Sequence, residues 1–402
     1  MKLNKKEQDM LEGKMGAGVQ KAMEILYALG EIYEAADLVP VKSAQISGVS
    51  YKNLGDAGLE FLEDWAKKGA RTTIPSFMNP AGVDVENWEK LGISRDFAEK
   101  QTKLIKAYTD MGVAPSCTCT PYLIGNKPNY GDHVAWSESS AVSYANSVLG
   151  ARTNREGGPS ALAAAICGIT PRYGYHLEEN RKGNLLIEVK CPVNDFSDFG
   201  ALGIIAGKQA GNRIPYFRFK EKKAVPLENL KTLGASMAAA GAVALYHVEG
   251  VTPEAEKKDM LSKDAEEFII ESLDEGYKIL NSETKEIDFV AIGCPHASLE
   301  ELKEIAALLE GKKVKAAVWI TTSRQVKREA EKNKTAKVIE SSGAHIVSDT
   351  CMIVAPMEEL GYKSMATNAG KAAFYGPSHC GFKVRFGRTE KCINAAITGR
   401  WE

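Results

Sequence analysis

The last third of the chain alternates strand-like and helix-like segments, and this limits the fold more than any other feature. Phe289–Ile292 is a short apolar run, 298–310 has helical spacing, Val314–Ile320 is again strand-like, 323–342 helical, and His345–Val347 another short strand. Strands separated by helices of this length pair in parallel, because each crossover carries the chain back to the same end of the sheet. We therefore expect an α/β chain with parallel or mixed sheets flanked by helices. Its sites should lie in the loops past the carboxyl ends of the strands. A chain of 402 residues exceeds one ordinary domain and suggests two or three. The expected parts are 1–125 plus a C-terminal segment, 126–285 and 286–402. No Gly/Ser/Pro linker marks these boundaries.

Upstream, 17–36 reads as an amphipathic helix, LVPV as a strand, and 55–68 and 95–110 as helices. A short strand is expected near Arg71–Ile74. Ser137-Glu138-Ser139-Ser140 reads as a helix start with a serine cap, and Ala161–Cys167 as a helix of small residues. Between 185 and 248, LLIEV and VALYHV read as strands and 200–208 and 226–240 as helices. The charged run 327–337 reads as a solvated helix face.

Composition narrows the function. Lys+Arg is 51 against Asp+Glu 52, a balance unlike that of a dedicated nucleic-acid binder. The start, MKLNKKEQDMLEGKMG, lacks the apolar core of a signal peptide. The apolar stretch Leu233–Val248 is too short to span a bilayer and reads as a buried helix running into a buried strand. Eight cysteines spread over a chain this long indicate a reducing, cytoplasmic setting rather than a disulfide framework.

Three of those cysteines share a context. Cys119, Cys294 and Cys351 each follow an apolar run and sit among small or polar residues; Cys294 precedes Pro295, and Cys119 precedes Thr120-Pro121. Three thiols delivered this way suit an iron–sulfur cluster or zinc. Cys117 competes with Cys119 for the first position. Cys167, in its Ala-rich helix, reads as a small core residue. No Cys-x-x-Cys pair and no Gly-x-Ser-x-Gly elbow is present. The glycines at 13, 16 and 18 lack the preceding strand of a dinucleotide loop and read as a flexible helix start. His296 is placed either to touch a site or to serve as a hydrogen-bonded structural histidine. Gly48-Val49-Ser50 and Asn79-Pro80 follow strand-like segments and offer amides and short polar side chains to an anion; ordinary turns use the same residues. Thr367-Asn368-Ala369-Gly370-Lys371 resembles a fragment of a phosphate loop, with Lys371 at a helix start.

Together, Ile46-Ser47-Gly48, Asn79-Pro80-Ala81-Gly82, Thr118-Cys119-Thr120-Pro121-Tyr122, Glu138-Ser139, Gly293-Cys294-Pro295-His296 and Asn368-Ala369-Gly370-Lys371 resemble the aconitase X family. The resemblance runs from about residue 10 to the C-terminus and covers the family's large part alone. It implies an aconitase-like multi-domain fold without the swivelling domain, and a hydro-lyase. One family branch dehydrates (R)-5-phosphomevalonate to trans-anhydromevalonate 5-phosphate in the archaeal-type mevalonate pathway of isoprenoid synthesis. The other dehydrates cis-3-hydroxy-L-proline. The Asn79-Pro80-Ala81-Gly82 string and the turn at Ser50-Tyr51 favour the first. The resemblance further implies a [4Fe–4S] cluster ([2Fe–2S] being associated with the other branch) on Cys119, Cys294 and Cys351. Substrate contacts are implied at Gly48, Val49, Ser50, Asn79, Pro80, Glu138, Ser139 and Lys371. The open iron would act as Lewis acid on the leaving hydroxyl. Glu138, Ser139 and Lys371 are the catalytic candidates of this chain. The base, a serine in aconitases, is expected on a small swivelling-domain subunit, making a heterodimer. A non-catalytic iron–sulfur sensor or scaffold would need the cysteines but not the anion loops. Neither nucleic acid nor membrane is expected as a partner.

Overall fold

The computed structural model describes residues 1–220 and 225–402. Three parallel sheets organise the chain. The first has three strands in the order Ser76–Met78, Ala44–Ile46, Ala135–Trp136. The second has four, His247–Val248, Pro215–Phe219, Gly183–Val189 and Leu261–Ile270. The third has five, His345–Ser348, Ala317–Thr322, Phe289–Ala297, Ser364–Thr367 and Lys383–Phe386. A small antiparallel pair joins Leu38–Pro40 to Ile169–Pro171.

The alternation in the last third produces the five-stranded sheet as expected. The ladder from Phe289 breaks after Ile292 and resumes only at Ala297, so the Cys294 segment sits in an irregular stretch of its strand. The expected helix 323–342 is two, Arg324–Lys332 and Thr335–Ser341, interrupted at Lys334 with φ 69°. The chain leaves its central strand in both directions. Strands two and three lie on one side, and Ser364–Thr367 and Lys383–Phe386 on the other. A doubly wound sheet of this order opens a crevice between the first and fourth strands at their carboxyl ends, because their crossovers diverge there.

Some expectations shift. The short strand is Ser76–Met78, beyond Arg71–Ile74; that segment instead donates Thr72 N–H to Met111 O and Thr73 N–H to Ala165 O. VALYHV contributes only His247–Val248. The run before Cys119 makes a single bridge, Phe77 with Ala114. Glu138, rather than a serine, caps the helix Ser139–Ser147 by accepting from Ser140 N–H. A division at residue 125 falls inside the first sheet, because Ala135 and Trp136 pair with Ala44 and Gln45. The C-terminal segment pairs with the five-stranded sheet through Lys383–Phe386 and the Glu286–Arg400 bridge. Short polar strands carry little periodicity, which is why these boundaries were not legible.

Close helix crossings tie the parts together. The helices Phe196–Ala210 and Leu227–Gly241 cross on glycine: a Cβ at Gly241 would lie 1.9 Å from Gly207 O, and one at Gly203 2.7 Å from Leu233 O. The helix Gly370–Cys380 joins them where a Cβ at Gly370 would lie 2.5 Å from Ser236 Oγ. No helix among the described residues is long and apolar enough to cross a membrane.

Candidate active site

The carboxyl ends of two sheets supply the predicted residues. In the three-stranded sheet, Ala44–Ile46 runs into Ser47-Gly48-Val49-Ser50, Ser76–Met78 into Asn79-Pro80, and Ala135–Trp136 into Ser137-Glu138-Ser139. In the five-stranded sheet, Cys294 lies near the end of the first strand and Lys371 follows the fourth, so the two flank the crevice. Cys351 follows His345–Ser348.

Lys371 and Glu138 form a largely buried ion pair. Glu138 Oε2 also accepts from Asn79 Nδ2 at 2.8 Å, and Lys371 Nζ reaches Ser139 Oγ at 3.2 Å. Burial pushes the Glu138 carboxyl up, but the Lys371 charge and the hydrogen bonds from Lys371, Asn79 and Ser140 outweigh it and hold its pKa at about 2. Burial pulls Lys371 down, and the Glu138 carboxylate more than compensates, keeping the ammonium above its usual range. Both groups are therefore charged at neutral pH.

Gln45 was missed by sequence reasoning and is the hub of this cluster. It is fully buried. Its Nε2 donates to Asn79 Oδ1 at 3.0 Å and its Oε1 accepts from Glu138 N–H at 2.9 Å. One amide thus orients both substrate-loop residues. The legible signal was a glutamine within an apolar strand: a buried amide needs partners.

Gly48 turns the chain with φ 74°, which a residue lacking Cβ adopts freely. The amides of Gly48, Val49 and Ser50 donate to no protein acceptor among the described residues. The Ser50 hydroxyl is engaged, donating to Val354 O at 2.7 Å in the Cys351 loop. Pro80 is buried beside Asn79.

All eight cysteines are free. Burial raises the Cys119 thiol's pKa, the Glu138 carboxylate and the neighbouring Cys351 raise it further, and the His296 amide and Lys371 oppose them. Cys294 is raised to about 12 by burial, in the field of Lys371, Cys351 and Glu138. Cys351 is raised by burial, opposed by hydrogen bonds from the Ile353 and Val354 amides. The three thiols therefore share one electrostatic neighbourhood with the Lys371–Glu138 pair. Cys117 faces Asp349 and Arg324 instead, which separates it from Cys119. His296 supports the first thiol: its N–H donates to Cys119 Sγ at 3.2 Å, and its ring bridges Thr118 Oγ1 at 2.9 Å and Thr350 O at 3.1 Å. Among the described residues no three His, Cys, Asp or Glu side chains converge tightly enough to ligate a single metal ion. A multi-iron cluster holds its thiolates farther apart than one ion does, and the donor set here is thiol only.

Two parallel sheets whose carboxyl ends meet at a largely buried lysine–carboxylate pair mark the candidate active site of an α/β enzyme. Family models described as Aconitase X first, second and third domain match residues 1–179, 183–277 and 287–398, and the chain belongs to the aconitase X family. The phosphomevalonate dehydratase large subunit of Methanocaldococcus jannaschii is 50% identical over 98% of this chain and 99% of that protein. The crystal structure of Thermococcus kodakaraensis aconitase X in its holo-form superposes with TM-score 0.91 at 47% identity, covering 98% of this chain and 100% of that one. The cis-3-hydroxy-L-proline dehydratase of Pseudomonas aeruginosa is 34% identical over 98% of this chain but 70% of its own length.

Proposed function

We propose that this chain is the large subunit of a dehydratase that converts (R)-5-phosphomevalonate to trans-anhydromevalonate 5-phosphate in an archaeal-type mevalonate pathway. In this reaction the C3–O and C2–H bonds break, the C2=C3 double bond forms, and water leaves. The observation that carries the reading is the contact of Lys371 with Glu138, itself bonded by Asn79, which joins the carboxyl ends of two parallel sheets. Half-identity along nearly the whole length of a phosphomevalonate dehydratase large subunit favours this substrate over hydroxyproline.

The chain's own residues serve to bind and orient. Lys371 supplies fixed positive potential for a carboxylate or phosphate. The amides of Gly48, Val49 and Ser50, which meet no acceptor among the described residues, form a second anion cradle, with Pro80 stiffening the neighbouring loop. Anchoring both ends of the substrate fixes the reacting bonds in place. Glu138 and Ser139 align the substrate and hold Lys371 in position. A carboxylate held at about 2 is too weakly basic to abstract the C2 proton efficiently. The base is therefore assigned to a small swivelling-domain partner, giving a heterodimer.

Cys119, Cys294 and Cys351 fit an iron–sulfur cluster: they are free thiols, and the His296 backbone N–H already donates to the Cys119 sulfur. Such a cluster, a [4Fe–4S] in this reading, supplies a Lewis acid for the leaving hydroxyl. The experiment is an anaerobic competition assay of the chain, alone and with a small subunit, on 5-phosphomevalonate and cis-3-hydroxy-L-proline. The expected result is turnover of phosphomevalonate by the pair and none by the single chain. Preference for hydroxyproline overturns the substrate; appreciable turnover by the single chain overturns the partner-borne base.

A further inference from the structure

The loop that carries Cys351 is gripped by a reciprocal pair of buried aspartates that the proposed chemistry does not use. Asp84 lies just past the Asn79-Pro80-Ala81-Gly82 loop, and Asp349 just before Cys351. Both are fully buried. Asp84 reaches across to the cysteine loop: its Oδ2 accepts from Ser348 N–H at 3.0 Å and from Ser348 Oγ at 3.1 Å. Its Oδ1 stays at home, accepting from the Glu86 and Asn87 amides at 3.1 and 2.9 Å.

Asp349 reaches back. Its carbonyl accepts from Ala81 N–H at 2.7 Å, and its Oδ2 from Val85 N–H at 3.4 Å. Arg324 Nη2 neutralises that carboxylate at 2.7 Å, and Lys327 Nζ stands 3.6 Å from Asp84. Asp349 has φ 65°, a left-handed conformation that Asp tolerates better than most residues. Ordinary loop packing needs neither a left-handed aspartate nor two buried carboxylates. Each is costly to bury unless its hydrogen bonds are made.

We propose that Asp84 and Asp349 are positioning residues for Cys351. They lock the thiol-bearing loop onto the Asn79 loop, so that the third thiolate and the Asn79–Glu138–Lys371 cluster keep one fixed relation. The clasp joins the first sheet to the five-stranded sheet at the site itself. A ligand loop held this way presents its sulfur without reorganisation, and supporting hydrogen bonds of this kind typically govern about 10- to 100-fold of metal affinity. The purpose of the clasp rests on the iron–sulfur reading; its effect on the loop does not.

The test uses the full chain with Asp84→Asn and, separately, Asp349→Asn. Asp84→Asn can set an NH2 donor against the Ser348 N–H, and Asp349→Asn removes the charge paired with Arg324. The first readout, on metal-free protein, is the alkylation rate of Cys351 by iodoacetamide, followed by peptide mass spectrometry. The second is the rate of iron release to a chelator after anaerobic reconstitution. The expected result is at least about tenfold faster alkylation of Cys351, unchanged alkylation of Cys191, and about 10- to 100-fold faster iron release. Folded variants that alkylate at the parent rate overturn the clasp. A parent chain that takes up no iron overturns the cluster reading alone, since alkylation still decides the clasp. Should Asp349→Asn fail to fold, Asp84→Asn carries the same decision.

Discussion

Lys371 and Glu138 depend on each other for their charge. Lys371→Met leaves a largely buried carboxylate without its counter-ion; breaking a fully buried pair costs about 3–5 kcal/mol, and this partly exposed one should cost less. Adding Glu138→Gln to that variant removes the stranded charge, so urea unfolding should show most of the stability restored. Activity should stay absent in both, because the proposed anion anchor is gone. The Glu138 contribution also carries a sign. Its pKa falls from 4.5 in the open chain to about 2 in the folded one, so its stabilisation is present above pH 4.5 and is lost as pH drops toward 2. His176 acts at milder pH. It is buried against His133, with the two Nδ1 atoms 2.8 Å apart, and burial, His133 and nearby arginines depress it from 6.5 to about 3. The unfolded chain binds a proton there below pH 6.5 and the folded chain does not, so stability falls as pH drops through that window. Between pH 7 and 5 the loss should be about 1–2 kcal/mol smaller in His176→Asn, measured by urea unfolding.

Among the elements, the crossing of Phe196–Ala210 with Leu227–Gly241 is the least tolerant of added atoms. A Cβ at Gly241 would overlap Gly207 O at 1.9 Å, so Gly241→Ala must push the helices apart. The cost expected of such overpacking is about 1–3 kcal/mol, read as a lower melting temperature. The same shift would move Gly370–Cys380, which packs on both helices and carries Lys371 near its first turn, so substrate KM should rise with it. Long helices such as Arg95–Asp110 were legible because apolar spacing repeats over several turns. Strands of the first sheet were not: Ala44–Ile46, Ser76–Met78 and Ala135–Trp136 are two or three residues long and owe their pairing to tertiary context. Gln45, in the middle of one of these strands, stayed hidden for that reason.

At the scale of the molecule, the site draws on residues from Gly48 to Lys371, and the sequence carried them as separate loops. Their common position past strand ends was readable, because helix-separated strands impose parallel pairing. Their meeting was not, because the relation between two sheets depends on contacts such as Ser50 with Val354 and Ala81 with Asp349, which leave no local pattern. Family resemblance supplied the ordered set of motifs, and the structure supplied what holds them: Gln45 beneath Asn79 and Glu138, and His296 beside Cys119. The convergence of Cys119, Cys294 and Cys351 on one centre is the claim on which the rest depends. Its most direct measurement is iron and sulfide content, with visible absorbance, of the anaerobically prepared chain and of its Cys119→Ser, Cys294→Ser, Cys351→Ser and Cys117→Ser variants. Loss of the cluster in the first three and its retention in Cys117→Ser is the result predicted; a full cluster retained in all of the first three would contradict the account.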